Sequence, residues 1–304
     1  MNRKMLSKQI NNNYNLHFSV YDQSGLLEFL LKNVSGKSRN NIKSFLTRGA
    51  VTVDSIVVTK YDYDLQPGQI VCVDMKKHST CINGLWPDII YEDNDFIVIN
   101  KPIGLVTVST GHQGEFTAHK MMNCYIKNTD KNNNAYVVHR LDRDTSGVLL
   151  FSKKEDLKNA LQADWSSLIT IREYIAIVEG KLNEKSGEIH SWLKQTKTLL
   201  VYSSNKRGDG LEAITKYTVM KENEKYTMLD IHLETGRKNQ IRVHMKDIGH
   251  SIIGDKKYGA EMDPIRRLGL HASKLELIHP LSGKVFCFEA PVPESFEMLF
   301  MENN

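Results

Sequence analysis

The sequence predicts an α+β protein in two parts, a small module over residues 22–76 and a larger domain over residues 88–304. Three observations lead there. The first part reads as two amphipathic helices followed by a short β-hairpin and a turn-led strand. The second opens on strand-like runs and continues with strand and helix patterns in turn, and a polar stretch at 77–87 separates the two. A chain of 304 residues is also long enough for about two domains.

Residues 1–21 include Gln9-Ile10-Asn11-Asn12-Asn13 and little apolar periodicity, so they read as a loosely attached tail. Ser24 is placed to cap a helix from Gly25 to Val34, with Leu27, Leu30, Leu31 and Val34 on one face. Ser38 is placed to cap a second helix, Arg39 to Arg48, that buries Ile42, Phe45 and Leu46 and stops at Gly49. Val51–Val53 and Ile56–Val58 flank Asp54-Ser55 as a hairpin, and Pro67-Gly68 turns into Ile70–Val73. Arg39 and Lys43 lie one turn apart on the second helix, either a pair of phosphate contacts or a solvated face.

In the larger part, Ile89–Tyr91 and Phe96–Asn100 read as strands, and Lys101-Pro102 breaks the second. Lys101 is either a phosphate contact or a strand-end charge. A helix is expected over His119–Ile126. The densest polar cluster, His139-Arg140-Leu141-Asp142-Arg143-Asp144, sits between Val137-Val138 and Val148-Leu149-Leu150-Phe151, which gives strand, loop, strand. Leu157, Ala160, Leu161, Trp165 and Leu168 recur at helical spacing and place Trp165 in a core. The strand Ile171–Gly180 sets Tyr174 on one face with Ala176 and Val178. Thr235 is placed to cap a helix on which Arg237 and His244 share a face.

A composition of 40% hydrophobic and 25% charged residues is that of a globular protein, and a net charge of +4 permits a nucleic-acid partner without requiring one. Cys72, Cys81, Cys124 and Cys287 form no CxxC pair and read as reduced thiols, with neither a disulfide frame nor a zinc site. The basic N-terminus has no apolar run behind it, so neither export nor a membrane anchor is expected, and the chain is placed in the cytoplasm.

Chemistry is expected at residues 139–146. Opposite charges beside a carboxylate keep it ionised, which suits Asp142 or Asp144 to act as a nucleophile or an electrostatic partner, with Thr145 and Ser146 able to fix it by hydrogen bonds. Asp142-Arg143-Asp144-Thr145 superficially matches the nucleophile loop of haloacid-dehalogenase-type phosphatases, but that loop follows a long strand and leads into a helix. His-Arg-Leu-Asp, a short spacer and Thr-Ser-Gly resemble instead the signature of RNA pseudouridine synthases of the RluA/RluD type. Tyr174-Ile-Ala-Ile-Val, Thr235-Gly-Arg-Lys-Asn-Gln-Ile-Arg-Val-His, Gly254-Asp255-Lys256-Lys257-Tyr258-Gly259 and Leu270-His-Ala continue the resemblance, with Asn239 standing where His is commonest. Residues 22–76 resemble the RNA-binding module named for ribosomal protein S-four, departing from it in having Asp54-Ser55 at the hairpin turn.

The resemblance implies a catalytic domain built on a mixed, largely antiparallel sheet flanked by helices. It implies Asp142 as the catalytic residue, Arg237 as its ion-pair partner, and Tyr174 as the flat partner of the extruded base, with a hydroxyl able to assist proton removal. His139, Arg140, Arg242 and Lys101 are the expected substrate-binding set, with Arg140 filling the space the base vacates, and Arg39 and Lys43 belong to the RNA-binding module. The reaction needs no cofactor and no metal. Ribosomal RNA of the large subunit is the first expectation for the substrate, transfer RNA the alternative, and a non-catalytic RNA-binding protein the rival; the working state is expected to be a monomer.

Overall fold

A computed structural model of the chain describes residues 15–47, 49–54, 56–75, 87–109, 116–129 and 133–301. The chain divides into two compact units: residues up to Pro87 together with Gly104–Ala135, and Asp88–Ile103 together with Tyr136 onward. The sequence placed 104–135 in the larger domain. Packing assigns it to the smaller one, because the Phe116 N–H donates to the Thr47 carbonyl at 2.8 Å and the Phe116 ring fills the space left by the missing side chain of Gly49. The expected linker lies almost wholly outside the described residues.

The first unit comprises β1 (Asn15–Ser19), β2 (Ser24–Gly25), α1 (Leu26–Asn33), α2 (Arg39–Thr47), β3 (Val51–Val53), β4 (Ile56–Val57), β5 (Asp64–Leu65), β6 (Ile70–Asp74) and α3 (Ala118–Thr129). Its main sheet runs β1-β6-β3-β4. Residues 15–19 were read as tail; they form an edge strand because Phe18 and Val20 reach the core of Leu26, Leu30, Ile42 and Leu46. Ser24 does not cap α1, being held in a bridge to Leu65, and Gly25 takes the cap position. Ser38 does cap α2, its hydroxyl accepting from the Asn41 N–H at 3.3 Å. Asp54 tolerates φ +49° at the hairpin turn, and its carboxylate accepts from the Ile70 N–H at 2.8 Å. Cys124 on α3 is disulfide-bonded, against the expectation of four reduced thiols; Cys72 and Cys287 are free.

The second unit is built on one sheet. Its elements are β7 (Asp88–Glu92), β8 (Phe96–Lys101), β9 (Tyr136–Val137), β10 (Ser146–Ser152), α4 (Glu155–Ala163), α5 (Trp165–Leu168), β11 (Ile169–Glu179), β12 (Ser186–Gln195), β13 (Val201–Ser204), β14 (Leu211–Glu222), β15 (Tyr226–Leu233), α6 (Gln240–Asp247), β16 (Leu270–Ile278), β17 (Val285–Glu289) and α7 (Glu294–Glu297). The strand order is β13-β12-β14-β15-β11-β16-β10-β8-β7, with β17 on β16 and β9 on β10. Among the described residues every strand pair of this sheet is antiparallel except β10 with β16, which meet in parallel over Ser146–His271 and Gly147–Ala272. The mixed, largely antiparallel sheet is therefore as expected, and its one parallel seam lies directly after the His139–Asp144 loop.

Helices close the faces. On one side α4 packs Leu157 and Leu161 against Phe96, Val98, Val148 and Leu150. Next to the seam α6 packs Ile241 and Met245 on Ala176, Leu229 and Ile231. Leu150, Leu161 and Leu229 are fully buried, each worth about 2 kcal/mol in removal from water. The helix expected from the spacing of Leu157, Ala160, Leu161, Trp165 and Leu168 breaks at Asp164 into α4 and α5.

Candidate active site

The loop between β9 and β10 is fixed from behind. Gly147 adopts φ +111°, and a side chain there would meet the Ala272 carbonyl oxygen at 2.0 Å, so only glycine lets β10 approach β16 this closely. The Ser146 hydroxyl lies 2.8 Å from His271 Nδ1 and accepts from Arg267 Nη2 at 2.6 Å. It is thus spent on the seam, not on either aspartate, while Thr145 is buried. Thr145 N–H closes a turn to the Asp142 carbonyl at 3.3 Å.

Lys101 is fully buried, which removes it as a phosphate contact. Its Nζ donates to the carbonyls of Arg143 (3.0 Å) and Pro102 (2.8 Å) and so holds the backbone next to Asp142. Burial pulls its ammonium down to about 7; Asp144 and Asp142 oppose this and Arg267 reinforces it. His139 Nε2 accepts from the Leu150 N–H at 3.0 Å, and burial, helped by Arg172, lowers its pKa to about 4. It lines the cavity as a neutral anchor of the loop. Arg140 is exposed in the cavity wall and makes no ion pair or hydrogen bond among the described residues.

The partner of Asp142 is Arg242, not Arg237. Arg242 Nη1 lies 3.7 Å from Asp142 Oδ2, with the aspartate side chain 37% exposed and the arginine 13%. Arg237 instead donates through Nε to the Glu212 carbonyl at 2.9 Å. The cause is local. Thr235 does not cap α6: its hydroxyl accepts from the Ile214 N–H and donates to Gln240 Oε1, which also accepts the Arg237 N–H. That knot, with Asn239 left-handed at φ +55°, delays the helix to Gln240, so Arg237 lies before it and Arg242 one turn inside.

Arg242 is the best supported side chain of the site. Nε and Nη2 each donate to the fully buried carboxylate of Asp255 at 2.7 Å, Nη1 to Asn239 Oδ1 at 3.3 Å, and the guanidinium lies 4.9 Å over the Tyr258 ring. Asn239 Nδ2 donates in turn to the Tyr258 hydroxyl at 2.9 Å, so asparagine works here both as a left-handed residue and as a strut. Asp255 and Tyr258 of the segment 254–259 thus aim Arg242, a contact that the sequence motif alone does not disclose.

Tyr174 projects from β11 into the same cavity. Burial pushes its phenol up to about 12, with Arg172 opposing and Asp142 adding to the rise. At neutral pH it is therefore an uncharged phenol. Arg172, two residues earlier on the strand and not singled out from sequence, donates to the carbonyls of Leu233 (3.0 Å) and Glu234 (2.7 Å). The cavity encloses about 870 Å³ and brings together His139, Arg140, Asp142, Tyr174, Arg237 and Arg242; its charged lining is completed by Lys158, Arg172 and Lys238. One carboxylate among six cations, beside a tyrosine platform, suits a polyanion whose base is to be held flat. Arg39 and Lys43 are both exposed on α2 of the first unit, with Lys43 Nζ 5.9 Å over the Tyr61 ring.

The family model described as RNA pseudouridylate synthase matches residues 95–247, which span the loop, Tyr174 and Arg242. The chain belongs to that family. As an RNA pseudouridine synthase of the RluA/RluD type, it is 33% identical over 279 residues to the uncharacterized RNA pseudouridine synthase YlyB of Bacillus subtilis, covering 90% of this chain and 91% of that one. It is 31% identical to the ribosomal large subunit pseudouridine synthase D of Yersinia pestis, covering 84% of each. The structure of human RNA pseudouridylate synthase domain containing 4 shares the synthase fold, with a TM-score of 0.57 at 21% identity over 69% of this chain and 90% of that one. No helix among the described residues is long and apolar enough to cross a membrane.

Proposed function

We propose that this synthase isomerises uridines in large-subunit ribosomal RNA, with Asp142 as its catalytic residue and no cofactor. The observation that carries the reading is the Asp142–Arg242 pair at 3.7 Å, the one carboxylate in a cavity lined by cations and opened beside Tyr174. The reaction breaks the bond from the ribose anomeric carbon to N1 of the base, turns the base, and rebonds that carbon to C5. N1 gains a proton and C5 loses one, so the step is redox-neutral. A carboxylate held by a guanidinium can add covalently during this exchange or stabilise the positive charge that develops as the glycosidic bond opens. Tyr174 holds the detached base in plane, and Arg140, exposed two residues before Asp142, enters the stack the base leaves, which offsets part of the few kcal/mol that extrusion costs.

The first unit serves as an S-four-like module whose Arg39 and Lys43 meet phosphates, and the enzyme works as a cytoplasmic monomer. Large-subunit RNA is favoured because relatives spanning most of the chain carry that substrate in their names. Pseudouridine mapping of ribosomal and transfer RNA, from cells with and without the gene, tests this. A ribosomal site that disappears and returns on adding chelator-treated enzyme is the expected result. Loss confined to transfer RNA would overturn the substrate, and loss of no site would overturn the reading as a whole.

A further inference from the structure

Trp165, expected in a core, lines the same cavity as Asp142. Lys158 and Gln162 lie one turn apart on α4, Trp165 opens α5 just beyond the break at Asp164, and all three line the cavity. Gln162 Nε2 donates to the carbonyls of Val137 (3.1 Å) and Val138 (2.9 Å), locking this face to the strand that leads into the catalytic loop. Trp165 is only partly buried, against the cluster of Val138, Leu157 and Leu161. Its ring neighbour is the neutral His139, at 5.7 Å and 40°, and its indole N–H donates to nothing among the described residues. Core tryptophans usually satisfy that donor. Arg172 lies close enough to His139 to depress its protonation, and Gly236 leaves it room: a side chain there would meet Arg172 Nη1 at 2.6 Å.

Tyr174 already supplies the platform for the isomerised uridine, so a second aromatic face in the cavity needs another occupant. A volume of about 870 Å³ lies near the top of the range of about 300–1,000 Å³ for ligand cavities and exceeds what one base fills. An aromatic face flanked by an ammonium and a guanidinium is how single-stranded nucleotides are held, the base by stacking and the phosphate by charge. We propose that Trp165, Lys158 and Arg172 form a second nucleotide subsite, which stacks the base adjoining the target uridine. This inference rests on uridine isomerisation as the function.

Steady-state turnover of an unmodified large-subunit RNA transcript by wild type, Trp165→Phe and Trp165→Leu tests it. Stacking of one base corresponds to roughly 5- to 100-fold, so Trp165→Leu is expected to raise KM by that factor with kcat within about threefold, while Trp165→Phe restores most of the KM. An unchanged KM in Trp165→Leu, or a fall in kcat and Tm that Phe does not repair, would overturn the subsite. If wild type turns over no ribosomal transcript, the functional reading fails separately, and the subsite is then decided with the Trp86→Phe/Trp192→Phe enzyme, in which Trp165 is the sole tryptophan and is excited selectively at the red edge of the absorption band. Saturable quenching by pentauridylate, lost when one position is abasic, supports the subsite; no quenching overturns it.

Discussion

Asp142 and Lys101 lie on the two sides of one loop and make opposite demands on it. Asp142→Asn removes the charge and keeps the shape. Turnover is expected to fall by at least about a thousandfold, the scale on which essential catalytic groups act. RNA affinity should stay equal or tighten, because a negative charge has left a cation-lined cavity. Filter binding beside a tritium-release assay reads both, and retained turnover would sink the assignment. Lys101 is a cation the fold buries at a cost. Its folded pKa, about 7, lies below the ordinary 10.5, so between those values the unfolded chain carries the proton and the folded chain does not. Stability must then rise with pH across that window, by on the order of 1 kcal/mol per pH unit, and the cost is fully present only below pH 7. Urea unfolding from pH 6 to 10 should show wild type gaining stability relative to Lys101→Met as pH rises. A flat difference would mean that the ammonium is paid for in full by the carbonyls it meets.

At the scale of elements, the seam between β10 and β16 decides where Asp142 sits. Gly147→Ala puts a methyl group into the Ala272 carbonyl at a backbone angle L-residues avoid, and is expected to cost about 3 kcal/mol or more by urea unfolding. Gly283→Ala is the control: its φ is +68° but nothing lies within 4 Å, so only the backbone strain of about 1 kcal/mol is expected. Equal costs would show that the seam is not tight. Much of this element was legible: Val-Val, a charged loop and Ser-Gly-Val announce strand, loop and strand, and period-two alternation puts Tyr174 on the face it occupies. The partner of Asp142 was not, because the start of α6 is set by a hydrogen-bond knot that joins Thr235 and Gln240 to β14, and no local propensity encodes that contact. Lys101 misled for the same reason. A lysine at a strand end is ordinarily exposed, and only the pairing of Lys101 with Gly147 shows that this end is covered.

For the whole molecule, two regions are proposed to meet phosphate. The cavity of the second unit gathers six cations, and α2 of the first unit presents Arg39 and Lys43, whose exposure and one-turn spacing follow from the helix the sequence predicted. The grouping of 104–135 with the first unit was not legible, since a covering Phe116 cannot be foreseen from Gly49, yet it leaves that α2 face open. Each phosphate neutralised releases counterions, so the logarithm of the binding constant falls with the logarithm of salt by about 0.7–0.9 per contact. Arg39→Ala/Lys43→Ala should therefore weaken binding of an unmodified large-subunit RNA transcript at low salt and make the slope shallower by about 1.5, with turnover at saturating RNA nearly unchanged because neither residue belongs to the cavity. If α2 were only a solvated face, slope and affinity would both match wild type. If the slope fell and saturated turnover fell with it, the module would be setting the position of the uridine at Asp142 as well as holding the RNA.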